Sequence, residues 1–464
     1  MRSTPPTLRA RLKFGERLGA PADILLAGVT AAFIAALLLS PRQASADGPE
    51  KTQRVNTSTA RLRSALTGTV ATHDGQRLHL VTDLGNIIIK TQNSGKIDYT
   101  VLLEADASQK DAKQLLKSFL VSAHATPDGV YFRGQSLERR ATGRLWVTVE
   151  LIIPKNYNVD VMTGGGNIET EDVNGSVTLA TAGGNIVAGN IGGPAHLTTD
   201  GGHITVKNVA GELVAATGGG HITTGAIEGN ASLHTSGGHI RVASVNGIAR
   251  VTTGGGNVSV EHSGSELVAE TAGGQIEVGE TAGLVRARTG GGGIRVVRVS
   301  GPTDLQTSGG SIYLTQVDSA VKASTGAGGI TAWFVAPAKK PDQCELQSGE
   351  GDIVVYIPRE LPITIDAQVQ SGDEHHVTFD PAFPMTLSRD ANANGGDSIR
   401  AEGVLNGGGE VVHLRALAGN IRVAVSDTNQ QLRLYKQQME QLQRNLQLQL
   451  RLLEQSQPAA ENSP

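Results

Sequence analysis

The chain has 464 residues, of which 59 are glycine and only 3% are aromatic, a balance that disfavours one large globular core. Its 40 basic and 44 acidic residues give a formal net charge of −4, so nothing in the charge balance indicates a nucleic-acid partner. The single cysteine, Cys344, excludes an internal disulfide framework and a cysteine-based zinc cluster.

Residues 1–46 have the order of a targeting segment: basic residues, an apolar run at 24–39 and then Ala44-Ser-Ala46. This order predicts either a signal peptide cleaved after Ala46 or a retained N-terminal membrane anchor, because the apolar run is short for a spanning helix of about 20 residues. With either outcome the rest of the chain is expected to be exported across the inner membrane. It would then be periplasmic, at the cell surface or anchored facing outward. Residues 47–66 are predicted to be a linker.

The predicted β-domain spans residues 67–426, and its first hundred residues follow a loose pattern. Several stretches alternate like strands, and residues 84–87 are a degenerate copy of a phrase that recurs later. Residues 108–120 have helical composition, with Leu115, Leu116 and Leu120 on one face. Terminal repeats must cover the open end of a stack, so this region is predicted to form irregular first turns plus a cap.

Between residues 163 and 330 one phrase recurs: a threonine, a glycine pair that begins two residues later, and then a branched aliphatic residue. The first copy is Thr163-Gly-Gly-Gly-Asn-Ile168, and every later copy starts 18 residues after the one before it. A fixed period of this kind indicates stacked structural repeats. The copies start at Thr163, Thr181, Thr199, Thr217, Thr235, Thr253, Thr271, Thr289, Thr307 and Thr325.

Each repeat is predicted to form two short strands. With Thr199 as position 1, aliphatic residues stand at positions 6 and 8 and again at 15 and 17, which is strand spacing. Such a unit cannot bury a core alone. We therefore predict an all-β fold: a single-stranded parallel β-solenoid with 18-residue turns, irregular end turns and a C-terminal amphipathic helix.

The glycine pairs are predicted to supply the positive φ of tight turns. In the first five turns they are Gly165, Gly166, Gly183, Gly184, Gly201, Gly202, Gly219, Gly220, Gly237 and Gly238. The threonine at position 1 is in phase with positions 15 and 17, so its hydroxyl is expected to bond to backbone at the glycine turn.

Position 6 is predicted to be the spine of a thin core, because a branched aliphatic residue stands there in every turn. Position 11 also carries Val or Ile in most turns, and position 17 carries aliphatic residues that are smaller on average. The position-6 ladder consists of Ile168, Ile186, Ile204, Ile222, Ile240, Val258, Ile276, Ile294, Ile312 and Ile330.

Position 5 carries histidine in three consecutive turns and an amide side chain in the turns beside them. Stacked turns would place these imidazoles about 4.8 Å apart, close enough to share a metal ion. Since no carboxylate stands there in these turns, the pattern favours a polar ladder over a metal site. The residues are Asn185, His203, His221, His239, Asn257 and Gln275.

Two other charged groups are interpreted as solvated surface. The run Asp373-Glu-His-His376 is predicted to be a loop end rather than a second metal cluster. Five arginines of turns five to eight are predicted to project outward on both faces, as surface charge rather than as a site for an anionic polymer. They are Arg241, Arg250, Arg286, Arg288 and Arg295.

The period breaks after Ile330, since Ser348 follows Thr325 by 23 residues, and residues 337–342 are predicted to be a loop at one corner. Residues 427–457 predict an amphipathic coiled-coil helix, and 458–464 a disordered tail. This helix would either self-associate or pair with another chain, or else lie over the open end of the solenoid. Its apolar residues include Leu432, Tyr435, Met439, Leu442 and Leu446.

The phrases at 146–155, 348–353 and 417–423, together with the Gly-Gly-Asn-Ile turns, resemble the bacterial putative adhesin family, a domain of unknown function found in envelope proteins. The resemblance covers about residues 67–426. It implies a β-solenoid at the cell envelope and brings no catalytic residue or cofactor. The long series of regular turns departs from the family pattern.

These observations predict a non-enzymatic envelope protein that presents a repetitive surface to an envelope polymer or protein, with no cofactor. Membrane contact would come from residues 1–46 if they are retained. The alternative is a structural spacer or a self-assembling scaffold. A hexapeptide-like acyltransferase is a minor alternative, because the inward positions do not recur every six residues.

Overall fold

The computed structural model describes residues 61–137, 145–335, 343–370, 375–391 and 397–426. These ranges belong to one compact unit that begins at Ser58, and a separate unit, Met1–Thr57, lies outside the described residues. The described ranges form 35 strands and a six-residue helix, and most strands pair in parallel. The predicted parallel β-solenoid is therefore confirmed.

Two of the sequence predictions concern segments that are not described, or only in part. The targeting segment at 1–46 lies outside the described residues, and none of the helical stretches within the described part has the length and apolar character that a membrane span requires. After residue 426 the structure describes six residues, which are helical and exposed: Arg433, Lys436, Gln437, Glu440, Gln441 and Arg444. The apolar residues predicted for association, Leu432, Tyr435, Met439, Leu442 and Leu446, are outside the described set.

The N-terminal part combines long strands with the short helix. Its elements are β1 (Arg61–Ala71), β2 (Arg77–Thr82), β3 (Asn86–Gln92), β4 (Lys96–Asp106), α1 (Ala112–Lys117), β5 (Phe119–Thr126), β6 (Gly129–Ser136), β7 (Leu145–Pro154) and β8 (Asn158–Thr163).

The regular turns contribute alternately to two sheets. The sheet that contains the position-6 ladder, called here the isoleucine sheet, receives β9 (Ile168–Thr170), β11 (Ile186–Ala188), β13 (Ile204–Val206), β15 (Ile222–Ile227), β17 (Ile240–Val245), β19 (Val258–Ser263), β21 (Ile276–Thr281), β23 (Ile294–Val299), β25 (Ile312–Val317) and β27 (Ile330–Phe334). The other, the threonine sheet, receives β10 (Val177–Thr181), β12 (Ala195–Thr199), β14 (Leu213–Thr217), β16 (Ala231–Thr235), β18 (Ala249–Thr253), β20 (Leu267–Thr271), β22 (Val285–Thr289), β24 (Thr303–Thr307) and β26 (Val321–Thr325).

The C-terminal part continues both sheets and then departs from the period. Its strands are β28 (Cys344–Ser348), β29 (Ile353–Ile357), β30 (Ile363–Val369), β31 (Val377–Phe379), β32 (Met385–Ala391), β33 (Asp397–Leu405), β34 (Val411–Ala416) and β35 (Ile421–Val425).

The 18-residue period becomes a regular register in the stack, which shifts once, between β25 and β27 after the pair Leu314–Ala332. Ile204 pairs with Ile186 on one side and with Ile222 on the other, so equivalent positions lie directly above one another. All ten residues of the predicted position-6 ladder are at most 1% exposed. Positions 11 and 17 also line the core, and Ser263 and Thr281 are polar members of position 11.

The threonine at position 1 ties each turn to the preceding one. Thr217 Oγ1 donates a hydrogen bond to the Gly202 carbonyl at 2.8 Å and accepts one from the Gly220 backbone N–H at 3.2 Å. The same two bonds recur in every turn from Thr181 to Thr325. The predicted bonding of this hydroxyl to backbone is thus confirmed.

The glycine pairs are needed for a different reason from the one predicted. A Cβ added to Gly220 would lie 1.9 Å from the Gly202 carbonyl oxygen, whereas one on Gly219 would meet nothing within 4 Å. The second glycine of a pair therefore lets the backbones of adjacent turns approach each other. Of the ten glycines predicted from the sequence, only Gly166 has a positive φ, at 120°. The positive-φ explanation is wrong for Gly165, Gly183, Gly184, Gly201, Gly202, Gly219, Gly220, Gly237 and Gly238.

The N-terminal end is irregular, as predicted. The threonine sheet runs β5-β6-β2-β8-β10 and the isoleucine sheet β1-β4-β7-β3-β9, with antiparallel pairs at the outer edges. α1 packs Leu115 against Ala105 of β4. The helix is shorter than the predicted 108–120, because Phe119 already pairs with Ser136 in a strand. Leu120 consequently lies in β5 with 50% exposure rather than on the helix.

At the C-terminal end, antiparallel pairing closes the threonine sheet, whereas the isoleucine sheet ends in a parallel pair. Beyond β28 the threonine sheet continues β34-β30-β33-β32, and its last two pairings are antiparallel. The isoleucine sheet continues β29-β35-β31. Ser348 keeps the threonine contacts despite the 23-residue step, donating to the Gly328 carbonyl at 3.0 Å. Residues 336–342, which include the whole predicted corner loop at 337–342, lie outside the described residues.

Candidate functional site

The position-5 edge is a continuous hydrogen-bonded ladder. The side chain at this position accepts a hydrogen bond from the backbone N–H of the equivalent residue one turn later, for example His203 N to Asn185 Oδ1 at 2.8 Å. His221 N donates to His203 Nδ1 and His239 N to His221 Nδ1, both at 2.9 Å. Asn257 N then donates to His239 Nδ1 at 2.8 Å. The predicted polar ladder is confirmed by these bonds.

This geometry fixes the protonation of the three imidazoles. Because Nδ1 accepts a backbone N–H, it carries no proton, and the neutral ring holds its hydrogen on Nε2. The rings of His203, His221 and His239 stack with centroids 4.9 Å apart and planes inclined by 15°. Burial, then the neighbouring His203 and His239, lower the pKa of His221. Burial and then Arg241 lower the pKa of His239.

The same bonds bear on the metal alternative. A neutral imidazole binds a metal through its unprotonated nitrogen, and in each of these rings that nitrogen already accepts a backbone hydrogen bond. Across the described ranges, no three His, Cys, Asp or Glu side chains are grouped so as to hold a metal ion. His375 and His376 are described, whereas Asp373 and Glu374 of the other predicted cluster are not.

The predicted arginines do lie on both faces. Arg241 and Arg295 belong to the isoleucine sheet, while Arg250, Arg286 and Arg288 belong to the threonine sheet. On the threonine sheet Arg286 contacts Glu266 at 3.2 Å, and Arg288 contacts Asp304 at 3.4 Å. Such exposed pairs neutralise one another and add little to stability.

Two open depressions follow the stack. One, of 620 Å³, lies on the threonine sheet, and its floor of Thr and Ser side chains is flanked by Glu270, Arg288 and Gln306. The other, of 490 Å³, lies on the isoleucine sheet near the N-terminal end, between Lys155 and Lys207. Both are shallow strips that cross several turns. They suit an extended ligand better than a small enclosed one.

A third feature, an outward aromatic cluster, was not predicted from the sequence. Tyr313, Trp333 and Tyr356 lie on β25, β27 and β29, which are adjacent strands of the isoleucine sheet. The Trp333 and Tyr356 rings stack at 5.0 Å with planes inclined by only 7°. The guanidinium of Arg295 lies 5.4 Å from the centre of the Tyr313 ring. One feature of the sequence could have indicated this cluster: Tyr313 is the sole Phe, Tyr or Trp between residues 163 and 330, and it occupies an outward position.

No protein-family model matches the sequence, and the comparison with curated proteins gives no match. Among solved structures, the chain is similar to a putative cell adhesion protein from Clostridium sporogenes, with 8% identity, a TM-score of 0.16 and coverage of 79% of this chain and 100% of that one. It is also similar to a putative adhesin from Bacteroides fragilis, with 10% identity, a TM-score of 0.18 and coverage of 63% and 96%. A putative lipid binding protein from Parabacteroides distasonis has 10% identity, a TM-score of 0.14 and coverage of 78% and 97%.

Proposed function

We propose that the protein is an exported binding module of the cell envelope, which uses the outer faces of its solenoid to hold an extended polymer or protein. The observation that carries this proposal is the register of the regular turns, which is continuous from β9 to β25. Because equivalent positions lie directly above one another, each outward side chain belongs to a ladder with a repeat of about 4.8 Å. Ladders of this kind offer the same contact many times, which is how an extended ligand is held along its length.

The basic, apolar and small-residue order of residues 1–46 supports export of the chain. The position-5 ladder supports a structural role over a catalytic one for His203, His221 and His239. Their Nδ1 atoms are occupied by backbone N–H groups, so these imidazoles act as fixed structural acceptors.

A spacer that carries no ligand is the second candidate, favoured by the identical stacking of the turns. End-to-end assembly of the solenoid itself is opposed by its edges. The outermost strand β1 carries Arg61 and Arg63, which pair with Glu104, and charged edge strands discourage pairing with another chain. Assembly would then depend on the helix predicted at 427–457.

The experiment that tests the proposal is a solid-phase binding assay. The purified full chain would be applied to isolated peptidoglycan, envelope polysaccharides and lipid vesicles, with the heat-denatured chain as the control. Saturable binding of the folded chain to one of these supports a binding module. Absence of binding to all of them, together with self-association that disappears when the chain ends at Ser426, would favour the scaffold instead. Fractionation of the producing cell with mapping of the mature N-terminus tests export.

A further inference from the structure

The outward aromatic residues are concentrated at one end of the regular array. From residue 163 to residue 312 the chain contains no Phe, Tyr or Trp at all, and Tyr313, Trp333 and Tyr356 then follow on successive strands. All three side chains point away from the core, and Tyr313 is 39% exposed. Large exposed apolar side chains that cluster on a surface mark interaction sites.

The fold itself does not require an aromatic residue at the position of Tyr313. In earlier turns, the outward position that Tyr313 occupies is filled by Thr205, Thr223 or Glu277. Those turns stack in the same register and keep the same threonine bonds as the turn of Tyr313. A ligand therefore explains the change of residue type better than packing does.

The charge of this region changes at the same place. The adjacent strands β23, β25, β27, β29 and β35 contain no Asp or Glu, but they do contain Arg295, Arg298 and Arg422. The two preceding strands, β19 and β21, carry Glu261, Glu277 and Glu280. Arg298 is turned toward Asp318 at 3.9 Å. Arg295 is held beside the Tyr313 ring, and Arg422 is exposed at the far side of the cluster.

We propose that Arg295, Tyr313, Trp333, Tyr356 and Arg422, together called the aromatic–arginine face, bind an acidic polysaccharide. This inference rests on the proposed binding function and names its ligand class. The C–H groups of a sugar ring carry partial positive charge and pack on the electron-rich face of an aromatic ring. Guanidinium groups pair with the carboxylates of a sugar acid in charge-assisted hydrogen bonds.

The dimensions of the face fit a chain rather than a single sugar. Five adjacent strands carry it, so it extends about 19 Å along the stack, with a strand spacing of about 4.8 Å. A nucleic acid also combines flat rings with negative charge, but the two available arginines provide few phosphate contacts. A polymer of sugar acids presents C–H faces to the rings and carboxylates to the two arginines, so it matches the face more closely.

The test is a binding titration of the full chain with polygalacturonate at low salt. The methyl ester of the same polymer, which lacks free carboxylates, and oligodeoxythymidine serve as comparison ligands. We expect saturable binding to polygalacturonate, weaker binding to the ester and still weaker binding to the oligonucleotide. The variant Tyr313→Ala/Tyr356→Ala should weaken binding to polygalacturonate about tenfold or more, and Arg295→Gln/Arg422→Gln should also remove the preference for the acid over the ester.

Matched controls lie on the other sheet. Tyr131→Ala and Arg250→Gln remove the same residue types from the outer face of the threonine sheet and should leave binding within about twofold of the original. Circular dichroism and thermal melting would verify folding, and the arginine pair still tests the face if the tyrosine variant unfolds. Equal losses in the controls, absence of binding to polygalacturonate, or tighter binding of the oligonucleotide would overturn the inference. If the chain binds another envelope polymer and the face variants retain that binding, this inference fails while the proposed function stands.

Discussion

The regular turns and the two ends of the solenoid reach the same closed core by different means. In the regular turns each residue type is repeated at one position, and every turn contacts only the turns on either side of it. At the ends, antiparallel strands and α1 cover the exposed sheet edges, with partners far apart in the sequence such as β1 with β4 and β30 with β33. The difference shows that regular stacking depends on backbone clearance and a repeated core residue. The way in which the stack ends depends instead on individual side chains and on strand pairs that do not repeat.

The largest expected effect is at the glycine pairs. Gly220→Ala should lower the free energy of unfolding by at least about 4 kcal/mol, because its Cβ would lie 1.9 Å from the Gly202 carbonyl oxygen and no side-chain movement can relieve that contact. Gly219→Ala, next to it, has open space and should change the free energy by less than about 1 kcal/mol. Chemical denaturation of both variants measures the contrast. Similar values for the two would show that clearance between turns does not determine the choice of glycine.

Core truncation should be more costly in the array than in the cap. Ile222→Ala should lower the free energy of unfolding by about 3–5 kcal/mol, because the residue is fully buried between two other isoleucines of the ladder. Leu115→Ala should cost about 2–3 kcal/mol, since that side chain packs in a small cluster with Ala105 and Ala112. Denaturation midpoints and slopes provide the measurement. A larger loss for Leu115→Ala would mean that the cap holds the array together.

The threonine ladder should contribute less to the free energy of unfolding than the isoleucine core does. Thr235→Val keeps the shape of a buried side chain but leaves the Gly220 carbonyl and the Gly238 N–H without the hydroxyl, so we expect a loss of about 1–3 kcal/mol. Thr252→Val changes an outward threonine on the same threonine sheet and should have almost no effect. Thermal melting of the two variants tests this. An unchanged Thr235→Val protein would show that water replaces the hydroxyl.

The smallest expected effect is the acid sensitivity of the position-5 edge. Burial and neighbouring charges lower the pKa of His221 and His239 below the ordinary 6.5, so their contribution to stability is complete above pH 6.5 and is lost as the pH falls below it. Protonation would also place a hydrogen on Nδ1, opposite a backbone N–H donor. The midpoint temperature of thermal unfolding should therefore decrease when the pH is lowered from 8 to 5.

The matched variant is His203→Asn/His221→Asn/His239→Asn. Asparagine already accepts the same backbone bond at Asn185 and Asn257, so the variant should keep the ladder at pH 8 and lose part of the acid sensitivity. An identical fall in the midpoint of the variant would assign the acid effect to other groups.

The sequence was sufficient to predict the array because its signals are local and repeated. Position 6 identified the core ladder, and the phase of the position-1 threonine identified its bonding to backbone. The role of Gly220 was not predictable in the same way, since its constraint comes from the preceding turn rather than from its own φ. The helix predicted at 108–120 ends early because Phe119 pairs with a residue of β6. The stabilisation from that pairing depends on a distant part of the chain, so local composition does not predict it.

The order of strands at the ends was likewise not predictable from the sequence pattern. The turn of β2 and β3 lies between the turn of β6 and β7 and that of β8 and β9, so chain order and stacking order differ there. Pairing of this kind is decided by long-range contacts. The aromatic–arginine face was missed because each of its residues is unremarkable in its own turn. The register pairs Arg295 with Tyr313 and Trp333 with Tyr356, while Tyr313 itself pairs with Thr331.

The bond from each position-1 threonine to the preceding turn has a consequence for how such a chain can change over generations. The threonine bond is the same at every joint from Thr181 to Thr325, so an in-frame duplication or loss of one whole unit in this range preserves it. Gain or loss of one unit in the gene would therefore change the length of the solenoid by about 4.8 Å, while both terminal caps remain unchanged.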